Sequence, residues 1–157
     1  MIKVFITIGT TPFDELIKLC DKNIDLNSFQ VLAQISDKAK YRPKNIEFIE
    51  FTNKIMTLYN KADIIISHAG AGSIYNLLEL QKKSIFVPNF IMKDGHQNDI
   101  CKFIENNNYA KVMNLKNINI NTILKDTYKK QFNKYKKQDS DDLINEIITL
   151  IEGNIII

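Results

Sequence analysis

The sequence predicts an α/β domain in which a parallel β-sheet carries helices on both faces. Three observations lead there. Short runs rich in β-branched apolar residues alternate with stretches of helical periodicity. The runs are apolar almost throughout, as strands buried on both faces are, instead of alternating apolar with polar. Glycine, proline and small polar residues gather where a run passes into the helix that follows it.

"IKVFITIG" (2–9) is the first strand, ending at Gly9. Thr10 or Thr11 is placed to cap the next helix, "FDELIKLCD", with Pro12 near its first turn and apolar residues at 13, 16, 17 and 20. "FQVLAQI" (29–35) and "IEFIEF" (46–51) are the second and third strands. "NKIMTLYNKA" (53–62) is a short helix with Ile55, Met56 and Tyr59 on one face. "DIIIS" (63–67) is the fourth strand, "GSIYNLLELQ" (72–81) a helix, and "SIFVP" (84–88) the fifth strand. "GHQNDICKFIENN" (95–107) is a helix and "AKVMNL" (110–115) an edge strand; residues 120–136 and 140–152 read as two further helices. The alternation describes a Rossmann-like, doubly wound domain, which binds ligands beyond the carboxyl ends of its strands. Four loops converge on that rim: Gly9-Thr10-Thr11, Phe51-Thr52-Asn53, Ser67 to Ser73, and Pro88-Asn89 to Gln97.

At 157 residues the chain is expected to form one domain, 1–157, able to bury a core unaided. A formal charge of +3 does not indicate a nucleic-acid partner. No apolar run reaches the roughly eighteen residues of a membrane span, and "MIKVFITIGTT" reads as a strand instead of a signal peptide, so a cytoplasmic location is expected. Cys20 and Cys101 lie far apart at apolar helix positions and read as reduced thiols; with two scattered histidines they make no zinc site. Arg42 is the single arginine among 21 basic residues. A bidentate guanidinium clamp on phosphate is therefore not expected, and any phosphate falls to backbone N–H groups or lysine.

The stretch "ISHAGAGSIYNLLEL" (66–80) bears on that directly. A small-residue turn between strand and helix lets N–H groups at the helix start face outward, at the positive end of the helix dipole. Gly70 and Gly72 would give close approach, and Ser73 would cap the helix or donate to an anion. The same glycines also suit a tight turn without a ligand, since the pattern is not G-x-G-x-x-G. His68 is open to two readings as well, a packing residue or a donor to a bound diphosphate.

"FITIGTTPFDELI", "ISHAGAGSI" and "VPN", with His96, Gln97 and "DIC" after it, resemble the glycosyltransferase family 28 C-terminal domain over residues 1–115. "EFTNKIMTLYNKAD" is similar to another segment of that family. The likeness is greatest to small donor-binding subunits of two-part UDP-N-acetylglucosamine transferases and to their bacterial capsular and exopolysaccharide relatives. It implies the C-terminal half of a GT-B glycosyltransferase, an inverting hexosyltransferase using a UDP-sugar. It further implies a membrane-anchored partner that binds the lipid-linked acceptor and brings this chain to the cytoplasmic face of the membrane. Phe51 and Thr52 would meet uracil, and Gly9, Thr10, Thr11 and Asn89 would line the donor site. Ser67, Ala69, Gly70, Ala71, Gly72 and Ser73 would hold the diphosphate. Asn76 falls where the family usually has a ribose-binding Glu, and Glu79 lies one turn on. His96 and Gln97 would touch the donor sugar, and His68 and His96 are the catalytic candidates. Asp-x-Asp metal binding is not part of the pattern, so neither metal nor cofactor is expected.

The C-terminal third leaves alternatives open. "KDTYKKQFNKYKK" (125–137) carries six lysines and one acid, suiting a solvated helix face or an anionic surface. The closing "EGNIII" suits a core or another subunit.

Overall fold

The computed structural model describes residues 1–89 and 96–136, with the backbone alone at 96–98. Six strands form one sheet: β1 (Ile2–Thr7), β2 (Phe29–Gln34), β3 (Glu47–Ile49), β4 (Ile64–His68), β5 (Ser84–Val87) and β6 (Lys111–Val112). Five helices connect or flank them: α1 (Asp14–Asn23), α2 (Ile55–Lys61), α3 (Ala71–Glu79), α4 (His96–Asn106) and α5 (Ile120–Lys129). The sheet order is β3-β2-β1-β4-β5-β6, and every adjacent pair is parallel. The expected doubly wound fold is present.

Helices cover both faces. On one, Leu16, Ile17 and Cys20 of α1 and Ile120 and Leu124 of α5 pack on Val4, Ile6, Val31, Ala33 and Ile66. On the other, Tyr59 of α2, Ile74, Leu77 and Leu78 of α3, and Ile100, Cys101 and Ile104 of α4 pack on Phe5, Ile65 and Phe86. Successive residues of a strand serve opposite faces, and both faces are apolar, which explains the unbroken runs. Cys20 and Cys101 are both free and buried, and burial pushes their thiols up to about 12 and about 11 respectively.

Several local expectations are corrected. Phe13, not Thr10 or Thr11, stands at the N-cap of α1, and no side chain caps that helix. Asp14 and Glu15 complement its dipole instead. Met56 is exposed, while Tyr59 is buried. The edge strand contracts to two residues. Helix 120–136 stops at Lys129, and residues 130–136 run on without helix. Tertiary contacts explain that end: Asn133 bonds the carbonyls of Asn107 and Asn108 through its side chain (2.8 Å) and backbone (2.9 Å). Tyr135 is buried edge-on against Tyr75 and Tyr109. The strap thereby carries the chain from α5 on one face to the α3–α4 face, a path that a continuing helix would not take. The helix expected at 140–152 and the terminal isoleucines lie outside the described residues. Among the described residues no helix is long and apolar enough to cross a membrane.

Candidate functional site

The sheet reverses its winding between β1 and β4, so the chains leaving their carboxyl ends diverge and open a crevice. One wall is the turn after β1 and the other is the turn from β4 into α3. His68 ends β4 and its imidazole lies between them. A Cβ on Gly9 would sit 3.0 Å from His68 Cε1, and one on Gly70 would overlap His68 Nε2. Gly9 also has φ +66°, the left-handed region that glycine enters freely. Gly72 has nothing within 4 Å of the position of a Cβ. The expectation that Gly70 leaves room for a ligand is therefore revised: the imidazole fills that room, and Gly72 faces the open space.

His68 is half-buried, and its Nδ1 is buried without a hydrogen-bond partner. Burial holds its pKa below the usual 6.5, with the Thr7 backbone acting the other way from outside good hydrogen-bonding geometry. The ring is thus neutral at pH 7, with one nitrogen free to donate and one to accept.

Helix α3 begins with Gly70 at the N-cap in extended conformation (φ −83°, ψ 133°). Its first bond runs from Ile74 N–H to the Gly70 carbonyl, 3.0 Å, while Gly70 N–H is taken up by the His68 carbonyl, 2.8 Å. The N–H groups of Ala71, Gly72 and Ser73 precede that first bond and have no acceptor among the described residues. They lie at the positive end of the helix dipole. Ser73 does not cap the helix; it sits in the first turn beside the buried Tyr59 hydroxyl. Burial raises the Tyr59 pKa, and bonding with the Ser73 and Thr7 side chains opposes the rise.

Ser67 and Ala69 are fully buried, Ser67 Oγ donating to the His68 carbonyl at 3.0 Å and Ala69 N–H to the Val87 carbonyl at 3.1 Å. They build the floor of the crevice and present no side chain to its opening. Thr10 and Thr11 are exposed. Phe51 is 81 % exposed, an unusual setting for a large ring, and Thr52 Oγ1 accepts from Lys54 N–H at 2.9 Å. Asn76 and Glu79 are both exposed on α3. Asn89 is buried two residues past β5. His96 and Gln97 open α4, but their side chains, like residues 90–95, lie outside the described residues. Among the described residues no group of three or more His, Cys, Asp or Glu is placed to hold a metal ion.

Two residues beneath the rim escaped the sequence reading. Gln34 is buried at the end of β2, and its amide bonds Thr7, Gly9, Ile35 and Glu50. Ser36 Oγ donates to the Thr10 carbonyl at 2.9 Å. The available signal was slight: "FQVLAQI" holds two glutamines, Gln30 and Gln34, and only the second turns out to be buried.

A parallel sheet of this winding, with bare N–H groups at a helix start on its switch point, defines a doubly wound, Rossmann-like α/β domain, a class that binds its ligands beyond the carboxyl ends of the strands. The sequence profile of the glycosyltransferase family 28 C-terminal domain matches residues 3–151, and the chain belongs to that family. It is 30 % identical over 115 residues, 72 % of this chain, to the UDP-N-acetylglucosamine--N-acetylmuramyl-(pentapeptide) pyrophosphoryl-undecaprenol N-acetylglucosamine transferase of Prochlorococcus marinus (strain MIT 9215). It is 28 % identical over 111 residues, 63 % of this chain, to the UDP-N-acetylglucosamine transferase subunit ALG13 of Homo sapiens. The chain spans 30 % and 10 % of those two relatives' own lengths. In fold it is similar to Acinetobacter baumannii MurG, with a TM-score of 0.62 at 18 % identity, covering 92 % of this chain and 52 % of that one. The ALG13 solution structure superposes with a TM-score of 0.59 at 18 % identity, covering 85 % of this chain and 88 % of that one.

Proposed function

We propose that this chain is the donor-binding, catalytic subunit of an inverting, UDP-sugar-dependent hexosyltransferase. It transfers a hexose or N-acetylhexosamine (GlcNAc, Gal or Glc) to a lipid-linked acceptor in polysaccharide biosynthesis. The observation that carries the reading is the start of α3 at the switch point, where three N–H groups have no acceptor among the described residues. Breaking a UDP–sugar bond builds negative charge on the β-phosphate. Fixed N–H donors at a helix start stabilise that charge without a metal, and one such donor is worth about 2.7–4 kcal/mol of barrier in other enzymes.

In this reading Ala71, Gly72 and Ser73 hold the diphosphate through their backbone, with Gly9, Thr10 and Thr11 as the facing wall. Gly70 and His68 set the floor, with the neutral imidazole within reach of the leaving phosphate. Phe51 and Thr52 meet the uracil, Asn76 the ribose, and Asn89, His96 and Gln97 the sugar. Asn76 offers one acceptor and one donor pair where a carboxylate would accept two charge-assisted bonds. A membrane-anchored partner supplies the acceptor-binding surface and recruits the chain from the cytoplasm; the whole chain, 1–157, acts as the donor domain. The relatives' names support this reading of donor and subunit character.

Calorimetric titration of UDP and the three UDP-sugars into the complex of chain and co-expressed partner tests it. UDP binding with a preference for one sugar is expected; no heat with UDP or any of the sugars overturns the proposal. Asn76 favours a second reading, a non-catalytic UDP-sugar-binding enhancer of a separate transferase. If Asn76→Ala and His96→Ala abolish turnover while the complex stays intact, the catalytic reading stands. If they disturb assembly and leave turnover per complex unchanged, the enhancer reading replaces it.

A further inference from the structure

We infer that Gln34 is a positioning residue that orients N–H groups on two walls of the crevice at once; the inference rests on the donor-binding reading above. Gln34 lies level with Thr7 of β1 and Ile49 of β3 in the sheet register and is 8 % exposed. Its Oε1 accepts from Thr7 Oγ1 at 2.9 Å. Its Nε2 donates to the carbonyls of Gly9 (3.1 Å), Ile35 (3.1 Å) and Glu50 (3.2 Å). Three carbonyls share two protons, so at least one proton is divided between acceptors. A primary amide is the side chain that combines an acceptor with two donors on one planar head. A carboxylate here would face three carbonyl oxygens, and an apolar chain of equal length would leave them unmatched.

The effect reaches the rim through peptide geometry. No cis peptide bond occurs among the described residues, and in a planar trans peptide the C=O and the following N–H point in opposite directions. Drawing the Gly9 carbonyl inward turns the Thr10 N–H outward, and no acceptor for it occurs among the described residues. Drawing the Glu50 carbonyl inward turns the Phe51 N–H outward in the same way, beside the exposed Phe51 ring. Gln34 therefore governs the diphosphate-side wall and the base-side wall together. Thr7 and Gln34 are both buried, so the bond between them lies beneath the crevice.

The test is calorimetric titration of UDP into the full chain with its partner, alongside thermal melts, for Gln34→Met and Thr7→Val. Gln34→Met keeps the length and volume of the side chain, and Thr7→Val removes the one hydroxyl that engages Oε1. UDP affinity is expected to fall about tenfold for Gln34→Met and about threefold for Thr7→Val, as the loss of buried hydrogen bonds implies. A merely structural role would lower the melting temperature and leave the UDP affinity of the folded protein unchanged, and that result overturns the inference. Should Gln34→Met not fold, Thr7→Val decides alone, and unchanged UDP affinity in it is equally fatal. A wild-type complex that takes up no UDP removes the donor-binding reading itself, a different result from variants that bind UDP as well as wild type does.

Discussion

Asp21 and Gln34 each gather a loop onto a buried polar head, at opposite edges of the sheet and in opposite senses. Asp21 lies in the last turns of α1, which returns the chain to the amino edge. Its carboxylate accepts from Tyr41 Oη at 2.6 Å, from Asn45 N–H at 2.7 Å, and from the N–H groups of Ile46 and Lys44 at 3.1 Å each. Gln34 lies under the carboxyl rim and donates to three carbonyls. A carboxylate can only accept, so it draws N–H groups inward and leaves the carbonyls of the same peptides facing out. An amide's NH₂ draws carbonyls inward and leaves N–H groups facing out. An anion needs outward N–H groups, so the amide is the head that suits the ground beneath an anion site, and the carboxylate suits a loop whose task is stability.

The sharpest way to break this contrast is Asp21→Ala. It leaves buried donors unmatched and is expected to lower stability in denaturant melts by about 3 kcal/mol. UDP affinity per folded molecule should not change; if it falls as far as in Gln34→Met, the two heads are not separate in function. The same hub has a pH signature. Burial tends to raise the Asp21 pKa, but the Tyr41 hydroxyl and the N–H groups of Asn45, Lys44 and Ile46 outweigh it and hold it below the usual 3.8. A depressed carboxyl contributes stability above its unfolded value and loses it as pH falls through the lower folded value. His68, also depressed, starts an earlier loss as pH drops below 6.5, because the unfolded ring takes up the proton first. Unfolding free energies measured across acid pH should therefore decline in two stages. Asp21→Asn should shrink the lower stage, to which Asp25, held low by the Ser28 hydroxyl and the Asn27 N–H, also contributes, and a flat profile between neutrality and the carboxylate range would mean His68 is not held neutral.

The two glycines of the α3 turn separate on a smaller scale. Gly70→Ala forces the His68 ring aside and should lower stability by about 2 kcal/mol, as overpacking does. Gly72→Ala places a methyl in open space on a helix and should raise stability by about 0.5 kcal/mol while weakening UDP binding about threefold. Equal effects on stability would contradict the imidazole's role as the reason for Gly70. The smallest change in stability belongs to Phe51→Ala: the exposed ring should leave the melting curve within about 0.5 kcal/mol of wild type. Its UDP affinity is expected to drop about threefold, and unchanged affinity would take Phe51 out of the base-side wall.

The succession of strands and helices, the parallel pairing and the rim where the loops converge were legible because they follow from apolar runs alternating with helical periodicity, which are local signals; the order of the strands across the sheet came only with the structure. The run "ISHAGAGS" announced a special turn for the same reason. The lysine-rich stretch after residue 125 misled because its periodicity continues past Lys129, while Asn133 and Tyr135 find better partners across the chain. The caps expected of Thr10 and Thr11 failed because α1 starts only at Asp14, with Phe13 at its N-cap, while the Thr10 carbonyl is tied to Ser36, 26 residues away in sequence.

What the sequence by itself determined is the fold class, the rim where the small residues collect, and a resemblance to the glycosyltransferase family 28 C-terminal domain through three spaced motifs. Only the tertiary structure decided why each of those residues is there. It showed that Gly70 makes way for an imidazole while Gly72 opens outward, and that Gln34, one of two glutamines in its strand, donates to carbonyls of two neighbouring loops. The physical reason is that periodicity reports which side of an element is buried, whereas the partner of a polar group is set by residues brought together from distant parts of the chain.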